Sequence, residues 1–315
     1  MSDFSKIPVK HWLKGIILGI LTLVVVVACR NQPTVQTPQT SGSDFTAQLT
    51  ELEFGVGPYF PTSGENRKQF EPLFNELARA VNLPAKVTVA DDWVGISEAL
   101  RSGTLDAAWL DPWGYVLAHQ NEPSIQAIAT VKYKDKPTYY SVLMARADAP
   151  FNTLDEAIAQ SQNGKKLKLS LANVGSTSGW LIPHAEFKRR KLDPKQVFDY
   201  SEGASHAAQA IALISGQADI ASDYDRNLDV LTSEGKIDSS KIKIIWQSTP
   251  LPNDPIAIRG GLPNDIKTKL KQALVNLSPE QAKKFLPKNY TGFVTSNGSN
   301  YASLQAAGTI VGKLK

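Results

Sequence analysis

The sequence is poor in the residues that build most metal and cofactor sites. It holds one cysteine in 315 residues, which excludes an internal disulfide framework and a multi-cysteine metal site. Its four histidines are too scattered to suggest a metal cluster. Basic and acidic residues nearly balance, 34 against 30, and no dense basic stripe goes with the net +4, so nucleic acid has no electrostatic case as a partner. There is no Walker A sequence, no G-x-G-x-x-G after a strand and no H-E-x-x-H. Neither a cofactor nor a metal is expected. What is present is globular composition, 42% apolar and 20% charged, which excludes a chain that is disordered, collagenous or coiled-coil throughout. The length suffices for one large domain or two of ordinary size.

Apolar runs are short as well. Gly15 to Ala28 reads GIILGILTLVVVVA, 14 residues without a charge. A transmembrane helix needs about 20. Behind Lys6, Lys10 and Lys14, the run fits a signal-peptide core after a basic leader. It ends at Val26-Val27-Ala28-Cys29, where the sole cysteine stands. An aliphatic residue at −3, a small one at −1 and Cys at +1 are similar to a bacterial lipobox. That implies diacylglyceryl transfer to the Cys29 sulfur and cleavage before it. Residues 1–28 are thus expected to be a lipoprotein signal peptide, and the mature protein to be lipid-anchored on the extracytoplasmic or periplasmic side. Residues 29–48 are rich in Thr, Gln and Pro without an apolar period, and are expected to form a flexible tether.

From about residue 50 strands and helices alternate. Leu52 to Val56 reads as a strand, and Phe70, Leu73, Phe74, Leu77 and Val81 have helical spacing within 65–81. Further strands are predicted over 87–89, 105–110, 139–145, 166–172, 218–222, 242–247 and 255–258. Helices are predicted over 94–102, 180–190, 206–215, 265–277 and 279–285. One unit occurs twice: residues 99–108, ALRSGTLDAA, match residues 212–221, ALISGQADIA. Each reads as a helix, a glycine at its C-terminal cap and a buried strand opened by Asp. The repeat points to two similar α/β lobes with a cleft between them, where strand ends and helix starts can face a ligand.

The chemistry gathers at strand-to-helix turns. Gly175-Ser176-Thr177-Ser178-Gly179 sets three hydroxyls beside the free N–H groups of a helix start, which makes an oxyanion cradle. Ordinary N-capping needs only one of them. Ser205-His206 opens another predicted helix, where an imidazole can donate to an anion. Tyr59 follows the first strand, and Asp111 and Asp223-Tyr224 follow the strands of the two matching units. Ser178, His206 and Asp223 can also be drawn as a hydrolase triad, but the turn reads G-x-T-x-G and not the G-x-S-x-G of a nucleophile elbow.

Over about residues 52–290 the chain resembles the periplasmic phosphonate/phosphite-binding proteins of bacterial ABC importers. The resemblance rests on Ser176-Thr177-Ser178-Gly179 with Pro183, on Ser205-His206 with Gly216 and Asp219, on Trp246-Gln247-Ser248 before Pro252-Asn253-Asp254-Pro255, and on Tyr139-Tyr140-Ser141-Val142. It implies an α/β type-II periplasmic-binding-protein fold of two lobes joined by a two-strand hinge. Lobe 1 would comprise 49–140 and 256–315, and lobe 2 residues 141–255. It implies a monomer that carries out no covalent chemistry, captures a small phosphorus oxyanion and delivers it to an ABC permease. Phosphate or another small oxyanion is the alternative ligand, and a Ser-dependent hydrolase the alternative activity. By the same resemblance Ser176, Thr177 and Ser178 would hold the anion, with His206 and Tyr59 matching ligand-contacting residues and Asp254 a carboxylate that faces the ligand amine. Asp223 and Tyr224 are candidates from their place after the second strand, where a carboxylate can accept from a protonated ligand oxygen. The chain departs from aminoalkylphosphonate binders at Leu110, where they carry a second Tyr, and at Arg226, where they carry a Glu that meets the ligand amine. The matching second carboxylate, Asp254, is kept, and Asp111 stands where a Gly is usual.

Overall fold

The computed structural model describes residues 49–60 and 62–315. The expected signal peptide, Cys29 and the tether of residues 29–48 lie outside the described residues.

The chain first lays down β1 (Leu52–Val56), α1 (Ser63–Ala80), β2 (Ala85–Val89), α2 (Trp93–Arg101), β3 (Ala107–Trp109), α3 (Pro112–Asn121) and β4 (Gln126–Tyr133). It crosses at β5 (Thr138–Tyr139) and continues through β6 (Ser141–Arg146), α4 (Leu154–Asn163), β7 (Lys168–Ala172), α5 (Ile182–Arg189), α6 (Pro194–Val197), β8 (Asp199–Ala204), α7 (His206–Ile214), β9 (Ile220–Tyr224), α8 (Asp225–Ser233) and β10 (Ile242–Gln247). It returns at β11 (Leu251–Pro252) and closes with β12 (Pro255–Ile258), α9 (Asn264–Val275), α10 (Pro279–Phe285), β13 (Tyr290–Thr295) and α11 (Ala302–Ile310).

Two sheets result. One has the order β13-β4-β12-β3-β1-β2 and the other β10-β6-β9-β7-β8. In the first, β1 runs parallel to β2 and β3, and β12 enters antiparallel beside β3. In the second, β7 runs parallel to β8 and β9, and β6 lies antiparallel beside β9. Between the sheets β5 and β11 pair antiparallel, Tyr139 opposite Leu251.

The matching units are alike down to their hydrogen bonds. Gly103 and Gly216 follow α2 and α7 with φ of +78° and +74°, a left-handed conformation that glycine adopts without steric penalty. Asp106 accepts the Glu53 N–H at 2.9 Å and donates its own N–H to the Glu53 carbonyl at 2.8 Å. Asp219 does the same with Lys168, at 2.9 Å in both directions. Each aspartate therefore locks the start of its strand to the parallel neighbour.

One core lies beneath the first sheet. Phe70, Leu73, Phe74 and Leu77 of α1 pack there against Phe54, Trp109 and Phe293, with the Phe54 and Phe74 rings 4.9 Å apart. Each such ring contributes about 1.5–3 kcal/mol by leaving water. A second core is continuous across both lobes: Ile96 and Trp113 share it with Leu143, Leu169 and Ala185. The cleft is therefore closed. Tyr301, Leu304 and Ala307 carry α11 into that shared core, between α3 and α5.

The predicted strands and helices are present, shifted by up to a few residues at their ends. Several elements carry no sequence prediction. Helix α3, PWGYVLAHQN, is apolar on nearly every side because it is buried on nearly every side, so it shows no polar face. Strand β8, DYSEGA, is an exposed edge strand without apolar alternation.

Candidate functional site

The hydroxyl run after β7 opens the helix earlier than predicted. Thr177 to Leu181 form a wide π turn that leads into α5, with the Leu181 N–H bonded to the Ser176 carbonyl at 3.1 Å. Ser176 caps this turn, its Oγ accepting the Gly179 N–H at 3.1 Å. Gly179 permits the packing, since a Cβ there would sit 2.3 Å from the Ala172 Cβ and 3.0 Å from His206 Cε1. The turn is strapped from behind by Ser141 Oγ donating to the Ser178 carbonyl and by Ser222 Oγ donating to the Gly179 carbonyl, each at 2.6 Å.

His206 is the first residue of α7, behind the Ser205 cap. Its Nδ1 lies 2.8 Å from Asp223 Oδ1 and its Nε2 3.0 Å from Ser176 Oγ. With Asp223 ionised, Nδ1 carries the donated proton. Nε2 then accepts from the serine or, in the imidazolium, donates to an anion. Asp223 is fully buried and also accepts from Asn227 Nδ2 and from the Tyr224 N–H, both at 2.8 Å. The Tyr224 ring stands edge-on to the imidazole at 4.9 Å. The triad drawn from sequence used Ser178; the structure joins His206 to Ser176 instead, because the π turn aims that hydroxyl at the ring.

The other lobe contributes an aromatic wall. Tyr59 packs against Phe70, Trp93 and Trp109, with centroids 5.2, 4.7 and 6.3 Å away. Its hydroxyl is buried beside Asp254 without completing a hydrogen bond. Asp254 accepts the Trp109 indole N–H at 3.1 Å, and burial pushes its carboxyl up to about 6. From the lobe of the hydroxyl run, Arg226 at the start of α8 is buried too. Its guanidinium lies over Tyr133 at 4.5 Å and Tyr139 at 5.2 Å, and it donates to Asn253 Oδ1 and to the Thr138 carbonyl. Leu110 is fully buried in the core shared by the two lobes.

Asp111 and Thr177 join the lobes directly. Asp111 caps α3 through Gly114 N–H at 3.0 Å, while its other oxygen accepts the Thr177 N–H at 3.1 Å and the Thr177 hydroxyl at 2.6 Å. That hydroxyl in turn accepts the Trp113 N–H at 2.8 Å. Burial pushes the Asp111 carboxyl up to about 7, against the pull of these donors and with help from the nearby Asp254 charge. Trp93 also meets Gly175 across the lobes so closely that a Cβ on the glycine would lie 2.7 Å from the Trp93 Cβ. The sequence marks Asp111 as an aspartate after a strand and as a departure from the family pattern but assigns it no partner, and it gives no role to Trp109, Trp113 or Asn227. Asp-Pro at 111–112 is a further signal, a helix cap followed by a first-turn proline.

Two helix starts and a hydroxyl run thus converge from one lobe on aromatic and acidic groups of the other, as in a closing ligand trap. A family model described as the periplasmic substrate-binding protein of phosphonate ABC transporters matches residues 54–301, more than three quarters of the chain. The protein belongs to this family. Among curated relatives it is 28% identical over 238 residues to the phosphonates-binding periplasmic protein of Escherichia coli, covering 74% of this chain and 69% of that one. It is 24% identical over 220 residues to the phosphate-import protein PhnD of Mycolicibacterium smegmatis, covering 66% of each. Its fold is similar to that of a binding-protein component of a phosphonate ABC transporter from Pseudomonas aeruginosa, with 23% identity, a TM-score of 0.72 and coverage of 82% of this chain and 86% of that one. PhnD1 of Prochlorococcus marinus, solved in complex with methylphosphonate, gives 18% identity, a TM-score of 0.72 and coverage of 84% and 99%. The fold is the expected type-II periplasmic-binding-protein fold, and the family is a periplasmic one.

Proposed function

We propose that this protein captures a small phosphorus oxyanion, phosphite or a small phosphonate, in the interlobe cleft and hands it to an ABC permease. It acts as a monomer held at the membrane through a lipid on Cys29. The observation that carries the reading is the run of Ser176, Thr177 and Ser178 hydroxyls at a capped helix start with the His206 imidazole beside it, facing a buried Tyr59 hydroxyl from the other lobe. Such donors hold an anion at roughly 1.5–3 kcal/mol per charge-assisted bond. A few of them, less the ordering cost of closure, reach micromolar affinity, about −8 kcal/mol. The relatives' names, phosphonates-binding and phosphate-import, support a phosphorus oxyanion and keep phosphate as the alternative. The methylphosphonate held by the Prochlorococcus neighbour favours a ligand with a small organic part.

The reading involves no covalent chemistry. Ser176, the serine that meets His206, is spent as a helix cap, its oxygen already accepting the Gly179 N–H. Absence of esterase and phosphatase turnover by the purified protein checks this. The ligand is expected to lack an amine. A buried ammonium needs a carboxylate partner, yet Arg226 already supplies a cation beside Asp254. Calorimetry against phosphite, phosphate, methylphosphonate and 2-aminoethylphosphonate tests the whole reading. Phosphite or methylphosphonate should bind at least tenfold tighter than the aminoalkyl compound, a gap of about 1.4 kcal/mol. Tightest binding by 2-aminoethylphosphonate would overturn the selectivity argument, and no binding by any of the four would overturn the function.

A further inference from the structure

In this closed cleft Asp111 does what a ligand oxygen would do. One of its carboxylate oxygens sits on the N–H and the hydroxyl of Thr177, at 3.1 and 2.6 Å, in the middle of the proposed cradle. It reaches there from the opposite lobe, is 6% exposed, and among the described residues forms no ion pair with a Lys, Arg or His. The titratable and charged groups that face it are Asp254, from the segment before β12, and the phenols of Tyr59 and Tyr139. Arg226 acts on Asp254 and Tyr139, and His206 faces Ser176 and Asp223.

An ionised carboxylate and an ionised ligand oxygen cannot share the donors of Thr177, because like charges at hydrogen-bond distance do not both remain ionised. A proton between them removes the conflict and turns repulsion into a short, strong hydrogen bond. We propose that Asp111 is the specificity residue that reads a proton on the ligand. It accepts a P–OH, and so admits phosphorus oxyanions that still carry one and rejects fully ionised tetrahedral anions such as sulfate. The inference rests on the phosphorus-oxyanion reading above and sharpens it. Phosphoryl monoanions lose their second proton at about pH 6 or somewhat higher. Burial holds the Asp111 carboxyl at about 7 in the ligand-free cleft, so its rejection of fully ionised anions is expressed above that pH, where it is ionised.

The test is calorimetry of the full mature chain with methylphosphonate and with sulfate between pH 5.5 and 8.5. Two buffers of different ionisation enthalpy count the protons retained on binding. The wild type should bind methylphosphonate with one proton held in the complex and lose about tenfold in affinity per pH unit at the alkaline end. At pH 8.5, with Asp111 ionised, sulfate should bind at least 100-fold more weakly. Asp111→Asn keeps the size and the cap on Gly114, and its amide can donate. It should flatten the pH profile and bring sulfate to within tenfold of methylphosphonate, while His206 remains in place. Asp111→Gly, with folding verified by circular dichroism, should also lose the proton count. Wild-type binding of sulfate as tight as methylphosphonate, or an unchanged pH profile and anion ranking in both variants, would overturn the inference and leave the phosphorus-oxyanion function standing. Absence of heat with methylphosphonate at every pH would overturn both.

Discussion

Residues 99–108 and 212–221 run through the same helix, left-handed glycine, aspartate and buried strand, and then part company at the strand's end. In the second unit the carboxylate of Asp223 lies inside β9, and His206, Asn227 and the Tyr224 N–H satisfy it, all from its own lobe. In the first unit Leu110 fills the equivalent place. The carboxylate comes one residue later, at Asp111, and two of its three donors belong to Thr177 across the cleft. One residue of offset turns a permanent fixture into a conditional one. Asp223 is held whether the lobes are open or closed, whereas Asp111 is fully held only when they meet.

Removing each carboxylate should make this contrast measurable. Asp223→Ala strands three buried donors and should cost about 3–5 kcal/mol. That corresponds to a fall in Tm of roughly 10 °C for a chain of this size. Asp111→Ala should cost less than half as much in the ligand-free protein, because opening the cleft exposes its former partners to water. Equal losses in thermal melts would erase the distinction. Next in size, Thr177→Val keeps the shape and removes the hydroxyl that Asp111 occupies. It should weaken oxyanion binding by about 1–3 kcal/mol, or roughly 5- to 150-fold, with little change in ligand-free Tm. Unaltered affinity by calorimetry would move the anion site away from the cradle.

The smallest effect is on pH dependence. Both Asp111 and Asp254 have carboxyls raised in the folded chain, to about 7 and about 6. At these two groups the folded state binds more protons than the unfolded state above about pH 4, so their contribution to stability falls as pH rises through that window and levels off above about pH 7. The amplitude should be about 1 kcal/mol, since the cleft can open and hydrate Asp111 before the chain unfolds. Ligand-free melts from pH 4 to 8 check the sign, and Asp111→Asn should flatten the segment near neutrality. A wild type that gains stability relative to Asp111→Asn as pH rises would contradict the raised, buried state of Asp111.

Much of the scaffold is legible in the sequence because period and punctuation agree in it. The spacing of Phe70, Leu73, Phe74 and Leu77 is enough to mark α1, and the Ser-Gly-x-x-Asp run is enough to mark both repeats. The hydroxyl run is legible as a helix start, but which hydroxyl meets His206 is not. That depends on a π turn, which no local spacing reveals. Asp111 is visible as an aspartate after a strand and as a departure from the family pattern. Its partner lies 66 residues away on the other lobe, and a pairing across a cleft leaves no trace in the periodicity of either segment. Helix α3 escapes prediction for the opposite reason to β8: one is too buried to show a polar face, the other too exposed to show an apolar one.

The seam between the lobes also carries its own light source. Trp93 abuts Gly175 across the cleft, and its indole is buried at 8% exposure. Separation of the lobes would wet this ring and change the polarity that the excited indole senses. Tryptophan emission therefore tracks the gap directly, so that capture and release can be followed in real time on unlabelled protein.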